Sequence, residues 1–105
     1  MIAEKEKTYS DIKDIVIKEV EYYSKENNNK INYEQIDFII ENEVASIYYN
    51  SDLLQIASTM NSYYLFVEFE YSKNLIDGCR EVLYKALRDD LFEYLDENDI
   101  EVIDE

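Results

Sequence analysis

The chain has 105 residues, 47% of them hydrophobic, and its 25 acidic against 10 basic side chains give a formal net charge of -15. This length fits a single domain over residues 1–105, and the hydrophobic share is sufficient for a core, which argues against general disorder. The charge disfavours nucleic acid and anionic membranes as direct partners and favours a basic protein, although acidity also serves solubility.

The missing residue types exclude most kinds of active site. There is no His, so the commonest general base and every triad that needs one are absent from the chain. The only glycine is Gly78, which excludes phosphate-binding loops and dinucleotide fingerprints. The only cysteine, Cys79, lies on an apolar helical stripe and is predicted to be a core residue. We therefore predict a protein that is not an enzyme and that binds no cofactor and no metal.

The first predicted helix covers residues 10–25, where apolar side chains recur every three or four positions, and Ser10 is its candidate N-cap. Residues 1–7 are charged, do not resemble a signal peptide and are expected to fray. The three asparagines at 27–29 predict a loop. A second helix is expected from Asn32, which with Gln35 resembles a capping box.

After residue 50 the pattern predicts a short helix capped by Ser51 and a long helix over residues 75–95. Residues 63–71 alternate like a strand but also fit a helical stripe, and helix is favoured because the only weak strand partner is 100–103. The predicted fold class is therefore mainly α, a small bundle of four to five helices. If residues 63–71 form a short strand, the alternative class is α+β. Residues 98–105 are expected to fray.

The acidic excess is concentrated in the second half of the chain. Residues 1–50 hold 11 acidic and 6 basic side chains, and residues 51–105 hold 14 and 4. From 89 to 105 there are nine acidic residues and no basic one. On a helix, acidic residues three and four apart form a ridge of neighbours about 5–6 Å apart. A solvated helix face and a nucleic-acid-like array explain this ridge equally well.

The eleven tyrosines are the second unusual feature, and several are adjacent pairs that cannot both face a core. Tyr is enriched in protein interfaces and pairs well with Arg. Taking charge and tyrosines together, we predict a partner-binding surface that includes Asp89, Asp90, Glu93, Asp96, Glu97, Asp99, Glu68, Glu70, Tyr49 and Tyr64.

Residues 47–54, IYYNSDLL, together with the Asn-, Ile-, Lys- and Tyr-rich composition, resemble short acidic proteins of phages and mobile elements of low-GC bacteria. Such proteins include anti-CRISPR and anti-restriction inhibitors, several of which imitate nucleic acid. The resemblance implies an inhibitor acting in the cytoplasm of a bacterial host cell, on an RNA-guided nuclease first and a restriction enzyme next. The alternatives are an immunity protein or antitoxin against a basic toxin, and a homo-oligomeric regulatory subunit.

Overall fold

The computed structural model describes residues 7–47, 49–60 and 75–104. These residues form four helices and one short parallel sheet of two strands. The elements in chain order are α1 (Tyr9–Lys25), β1 (Lys30–Asn32), α2 (Tyr33–Ala45), α3 (Asn50–Ser58), α4 (Leu75–Glu97) and β2 (Glu101–Ile103). The predicted mainly helical bundle is confirmed, and the question of strand or helix at 63–71 lies outside the described residues.

Thr8, rather than Ser10, caps the N-terminus of α1. The backbone N–H of Asp11 donates to the Thr8 hydroxyl at 3.3 Å, and the Thr8 N–H donates to the Asp11 carboxylate at 2.9 Å, which completes a capping box. Ser10 lies inside the first turn of the helix, so the prediction that it is the cap was wrong. Ser51 likewise lies inside α3, where Tyr49 holds the cap position without a side-chain hydrogen bond.

The capping box predicted for α2 is confirmed. The Gln35 N–H donates to the Asn32 side-chain oxygen at 2.8 Å, and the Asn32 N–H donates to the Gln35 side chain at 3.2 Å. The loop predicted at 27–29 is also present, since Asn28 and Asn29 have left-handed φ angles of 56° and 64°. This loop directs the chain into β1, a strand that the sequence pattern did not predict.

The two strands pair in parallel, with Ile31 opposite Val102. A side-chain contact adds to the pair at one end, where the side-chain amide of Asn29 donates to the Asp99 backbone carbonyl at 2.9 Å. From the sequence, residues 100–103 are a weak strand partner for 63–71, and residues 98–105 are expected to fray. In the structure Glu101–Ile103 form a strand that pairs with β1, and Ile100 is buried.

The core of the described part of the chain is aliphatic, and α4 runs through it. Helix α4 packs against α1, α2 and α3. Its buried side chains are Cys79, Val82, Leu83, Ala86, Leu87, Leu91 and Leu95. They follow two adjacent rows of the helix surface in which residues recur every four positions. Cys79 is fully buried, so its predicted place in the core is confirmed, and burial raises the pKa of its thiol above the ordinary value.

Replacing Thr8 by Ala should destabilise the protein, because the Asp11 N–H loses the hydroxyl that accepts its hydrogen bond, while the Thr8 N–H that donates to the Asp11 carboxylate is retained. The expected cost is about 1 kcal/mol in the free energy of unfolding. Ser10→Ala is the matched control and should cost nothing measurable, since Ala is the better residue within a helix. Urea denaturation followed by circular dichroism measures both, and equal losses would contradict the capping role of Thr8.

Glu43 of α2 should make stability depend on pH. Partial burial and the charge of Glu19 raise the pKa of its carboxyl in the folded protein, and Lys7 opposes this. For a carboxyl with a raised pKa in the folded protein, the contribution to stability is fully present below the pKa of the unfolded chain and is lost as the pH rises through the folded pKa. Glu43→Gln should therefore increase the free energy of unfolding at pH 7 and change it less at pH 4.

The control for this prediction is Glu41→Gln, which removes the same charge from an exposed position of the same helix. It accounts for the general relief of self-repulsion in a chain of net charge -15. Equal gains from the two variants at pH 7 would show that the effect comes from net charge and is not specific to Glu43.

Candidate functional site

A row of mostly acidic side chains winds along the exposed surface of α4, turning about 40° further round the helix at each step of four residues. It consists of residues four apart that are all exposed, Asp77, Glu81, Lys85, Asp89, Glu93 and Glu97. Four residues advance a helix by about 6 Å, so this acidic row is about 30 Å long. It lies beside the buried row of Val82 and Ala86, so the packing of α4 fixes where the carboxylates point.

Four of the predicted site residues come together at the C-terminal end of this row. Asp89, Glu93 and Glu97 belong to the row itself, and Asp96 is exposed beside it, three residues from Glu93. Asp77 and Glu81, which are not among the predicted site residues, extend the row toward the start of α4. Their four-residue spacing from Asp89 is present in the sequence, but Lys85 interrupts it, whereas residues 89–105 contain no basic side chain.

Asp99 follows the end of α4 and is also exposed, with a left-handed φ of 54°. Its carbonyl accepts the hydrogen bond from Asn29, so its backbone is tied to the loop before β1. Asp99 therefore continues the acidic surface beyond the helix. The neighbouring carboxylate of Glu101 lies 3.8 Å from the Lys30 ammonium, an exposed pair that lowers the net charge at this end of the sheet.

Asp90 has a different environment from the other predicted residues that the structure describes. It is partly buried, and the Tyr9 hydroxyl donates a hydrogen bond to its carboxylate. This contact joins α1 to α4, so Asp90 helps to hold the helix that carries the acidic row. A shallow depression of about 160 Å³ lies alongside, lined by Lys13, Ile17, Asp90, Glu93, Tyr94 and Glu97.

Of the other predicted residues, Tyr49 is described and is 69% exposed just before α3. Glu68, Glu70 and Tyr64 lie outside the described residues. Every aromatic side chain whose burial the structure describes lies outside the aliphatic core, either partly buried or exposed. The tyrosines of this part of the chain are therefore surface or boundary residues, as an interface would require.

A polar and aromatic network joins α2 to α4 next to the acidic row. Asp37 of α2 accepts hydrogen bonds from the Arg88 guanidinium at 2.6 Å and from the Tyr84 hydroxyl at 3.0 Å. Arg88 also lies over the Phe92 ring, 5.1 Å from its centroid, and this ring is 6.0 Å from that of Tyr33. Burial, with the hydrogen bond and charge of Asp37, raises the pKa of the Tyr84 phenol above its ordinary value.

A groove of about 540 Å³ opens beside this network. It is lined by Glu41, Val44, Ala45, Arg80, Glu81, Tyr84 and Lys85. Its rim carries two acidic and two basic residues, so its charges are balanced, whereas the depression at the end of the acidic row has three carboxylates against Lys13. Among residues 7–47, 49–60 and 75–104, no three or more acidic or Cys side chains are grouped as metal ligands. No helix in this part of the chain is long and apolar enough to cross a membrane.

Comparison of the chain with protein-family models, with curated proteins and with solved structures finds no match. The residues and their geometry are therefore the basis for any statement about function. What the site can do is limited by its chemistry, which is that of exposed carboxylates and aromatic rings on rigid helices. Such groups bind cations and cationic side chains.

Tyr9→Phe should destabilise the protein, because the carboxylate of Asp90 loses a hydrogen-bond donor at a partly buried position. The expected loss is about 1 kcal/mol in the free energy of unfolding. Tyr22→Phe, at a 61% exposed position of the same helix, is the control and should change it little. Urea denaturation compares the two, and a Tyr9→Phe variant as stable as the control would contradict the contact between α1 and α4.

Proposed function

We propose that this protein is a non-enzymatic inhibitor that binds the basic, nucleic-acid-binding surface of a partner protein through its acidic row. The observation that carries the proposal is the line of exposed carboxylates on α4, which ends in Glu93, Asp96 and Glu97 with no basic residue beside them in the sequence. These side chains stand on a helix that is buried against three others, so they are presented in a fixed geometry.

The inhibition is competitive in this proposal. Carboxylates of the row pair with the Arg and Lys side chains that would otherwise hold phosphates, because charge-assisted hydrogen bonds suit both anions. Successive positions of the row rise by about 6 Å, a spacing of the same order as that of phosphates along a nucleic-acid strand, about 3.4 Å of axis each. The excess negative charge also speeds association, and this effect weakens as salt is added.

Exposed aromatic side chains supply the part of the binding that does not depend on salt. Tyr49 is a rigid, amphipathic ring that is mostly exposed, and rings of this kind are common at the centre of protein interfaces. Contacts of this type slow dissociation more than they speed association. The first choice of target is an RNA-guided nuclease and the second is a restriction enzyme, a choice that rests on the resemblance of residues 47–54 to phage-type inhibitors.

Neutralising the end of the acidic row should weaken binding to the partner. The variant is Glu93→Gln, Asp96→Asn, Glu97→Gln, and we expect roughly a tenfold loss of affinity at low salt, since each surface carboxylate contributes up to about 1 kcal/mol. The dependence of affinity on salt should flatten as well. Titration calorimetry or surface plasmon resonance against a guide-loaded nuclease and a restriction enzyme measures both quantities.

The matched control is Asp14→Asn, Glu26→Gln, Asp52→Asn, which changes the net charge equally at exposed positions of other elements. It should reduce affinity much less. Equal losses from the two triple variants would mean that net charge alone drives association and that the acidic row has no special role.

Competition by nucleic acid tests the mechanism. Added DNA or guide RNA should displace the protein from its target, and the protein should block loading of nucleic acid. A tight complex that nucleic acid does not affect would contradict mimicry and would favour an immunity protein or antitoxin. Affinity capture from cells that carry defence systems, followed by mass spectrometry, supplies the candidate partners.

A further inference from the structure

Phe38 is an apolar ring in the middle of the polar face of α2. It is 60% exposed, although the core of the described residues is aliphatic and packed. A single exposed apolar residue is ordinary on a protein surface. Phe38 differs from an ordinary exposed residue in its surroundings, because two carboxylates and a depression lie next to its ring.

The two carboxylates belong to Glu34 and Glu41, which are four residues before and three residues after Phe38 and are both exposed. Side chains at these spacings are neighbours on a helix surface, with Cβ atoms about 5–6 Å apart. Helix α2 contains four acidic residues and no basic one. Glu34 and Phe38 share a depression of about 280 Å³ with Asn32 and Gln35.

Elsewhere in this protein, a carboxylate and an aromatic ring together contact an arginine side chain. At the junction of α2 and α4, the Arg88 guanidinium contacts the Asp37 carboxylate and lies over the Phe92 ring. Phe38 follows Asp37 in the sequence and lies about 100° further round the helix, toward solvent. Phe38 and its two glutamates offer the same two kinds of group, a ring and a carboxylate, on one helix, and among the described residues no guanidinium or ammonium lies over this ring.

We propose that Phe38, Glu34 and Glu41 form a docking site for an arginine side chain of the partner protein. The guanidinium stacks on the Phe38 ring, and its N–H groups donate to the flanking carboxylates. Arginine fits better than lysine, because its planar, weakly hydrated cation stacks on rings and its fork of donors matches carboxylates. This inference rests on the proposed function, since both require a cationic partner, and it adds a preference for arginine at one place.

Nonaarginine and nonalysine peptides test the preference without knowledge of the partner. Titration calorimetry gives the ratio of the two association constants for each protein variant. Phe38→Leu keeps an apolar side chain and removes the ring, so this arginine-to-lysine ratio should fall by about two- to fivefold, the contribution of an exposed cation–π contact. Phe38→Tyr keeps the ring face and should keep the ratio, and Tyr22→Leu should also leave it unchanged.

The outcomes separate this inference from the proposed function. If both peptides bind and Phe38→Leu leaves the ratio unchanged, the arginine site is wrong, while the role of the acidic row stands. If the arginine-to-lysine ratio falls as much in Phe38→Tyr as in Phe38→Leu, the site is also wrong, because Phe38→Tyr retains the ring. If neither peptide binds the unchanged protein at low salt, the cationic partner itself is contradicted. Circular dichroism of each variant checks that the helix content of the protein is unchanged.

Discussion

The burial of α4 is the interaction on which the rest of the structure depends. This helix supplies seven of the 21 buried hydrophobic residues in the described part of the chain, and α1, α2 and α3 all pack against it. A chain with a net charge of -15 resists compaction, so a continuous aliphatic core has to compensate for the repulsion. The same burial determines which side of α4 faces solvent and therefore where the acidic row lies.

Polar contacts between helices fix the positions of α1 and α2 relative to α4. Tyr9 and Asp90 join α1 to α4, and Asp37 and Arg88 join α2 to α4. Both contacts use partly buried groups at the edge of the core, where a hydrogen bond to a charged group contributes more than one in full solvent. Carboxylates of this protein thus have two roles, since some hold helices together while others face outward.

Much of the fold could be predicted because local patterns decide it. Apolar residues three and four apart were enough to locate α1, α2 and α4, and the asparagines at 27–29 marked the turn. The sequence also distinguishes Thr8 from Ser10 as the N-cap of α1. Thr8 has an acidic residue three positions later, as a capping box needs, whereas Ser10 has Lys13 there, which cannot accept the hydrogen bond.

The features that could not be predicted depend on contacts between distant parts of the chain. Strand β1 has only three residues and one buried side chain, Ile31, so it leaves no periodic signal of its own. The role of Asp90 follows from Tyr9, 81 positions away, and that of Asp37 from Arg88, 51 positions away. The clustering of Glu93, Asp96 and Glu97 could be predicted from the sequence, because it needs only helical geometry.

The parallel pairing of β1 with β2 has a consequence for the order in which the protein folds. It joins Lys30 to Glu101, so closing this contact brings together two segments that are about 70 residues apart along the chain. Helices form from local contacts, whereas this pairing gains stability only after α1 and α4 have docked. The strand pair should therefore form late in folding and open early in unfolding, and its amide hydrogens should exchange before those in the middle of α4.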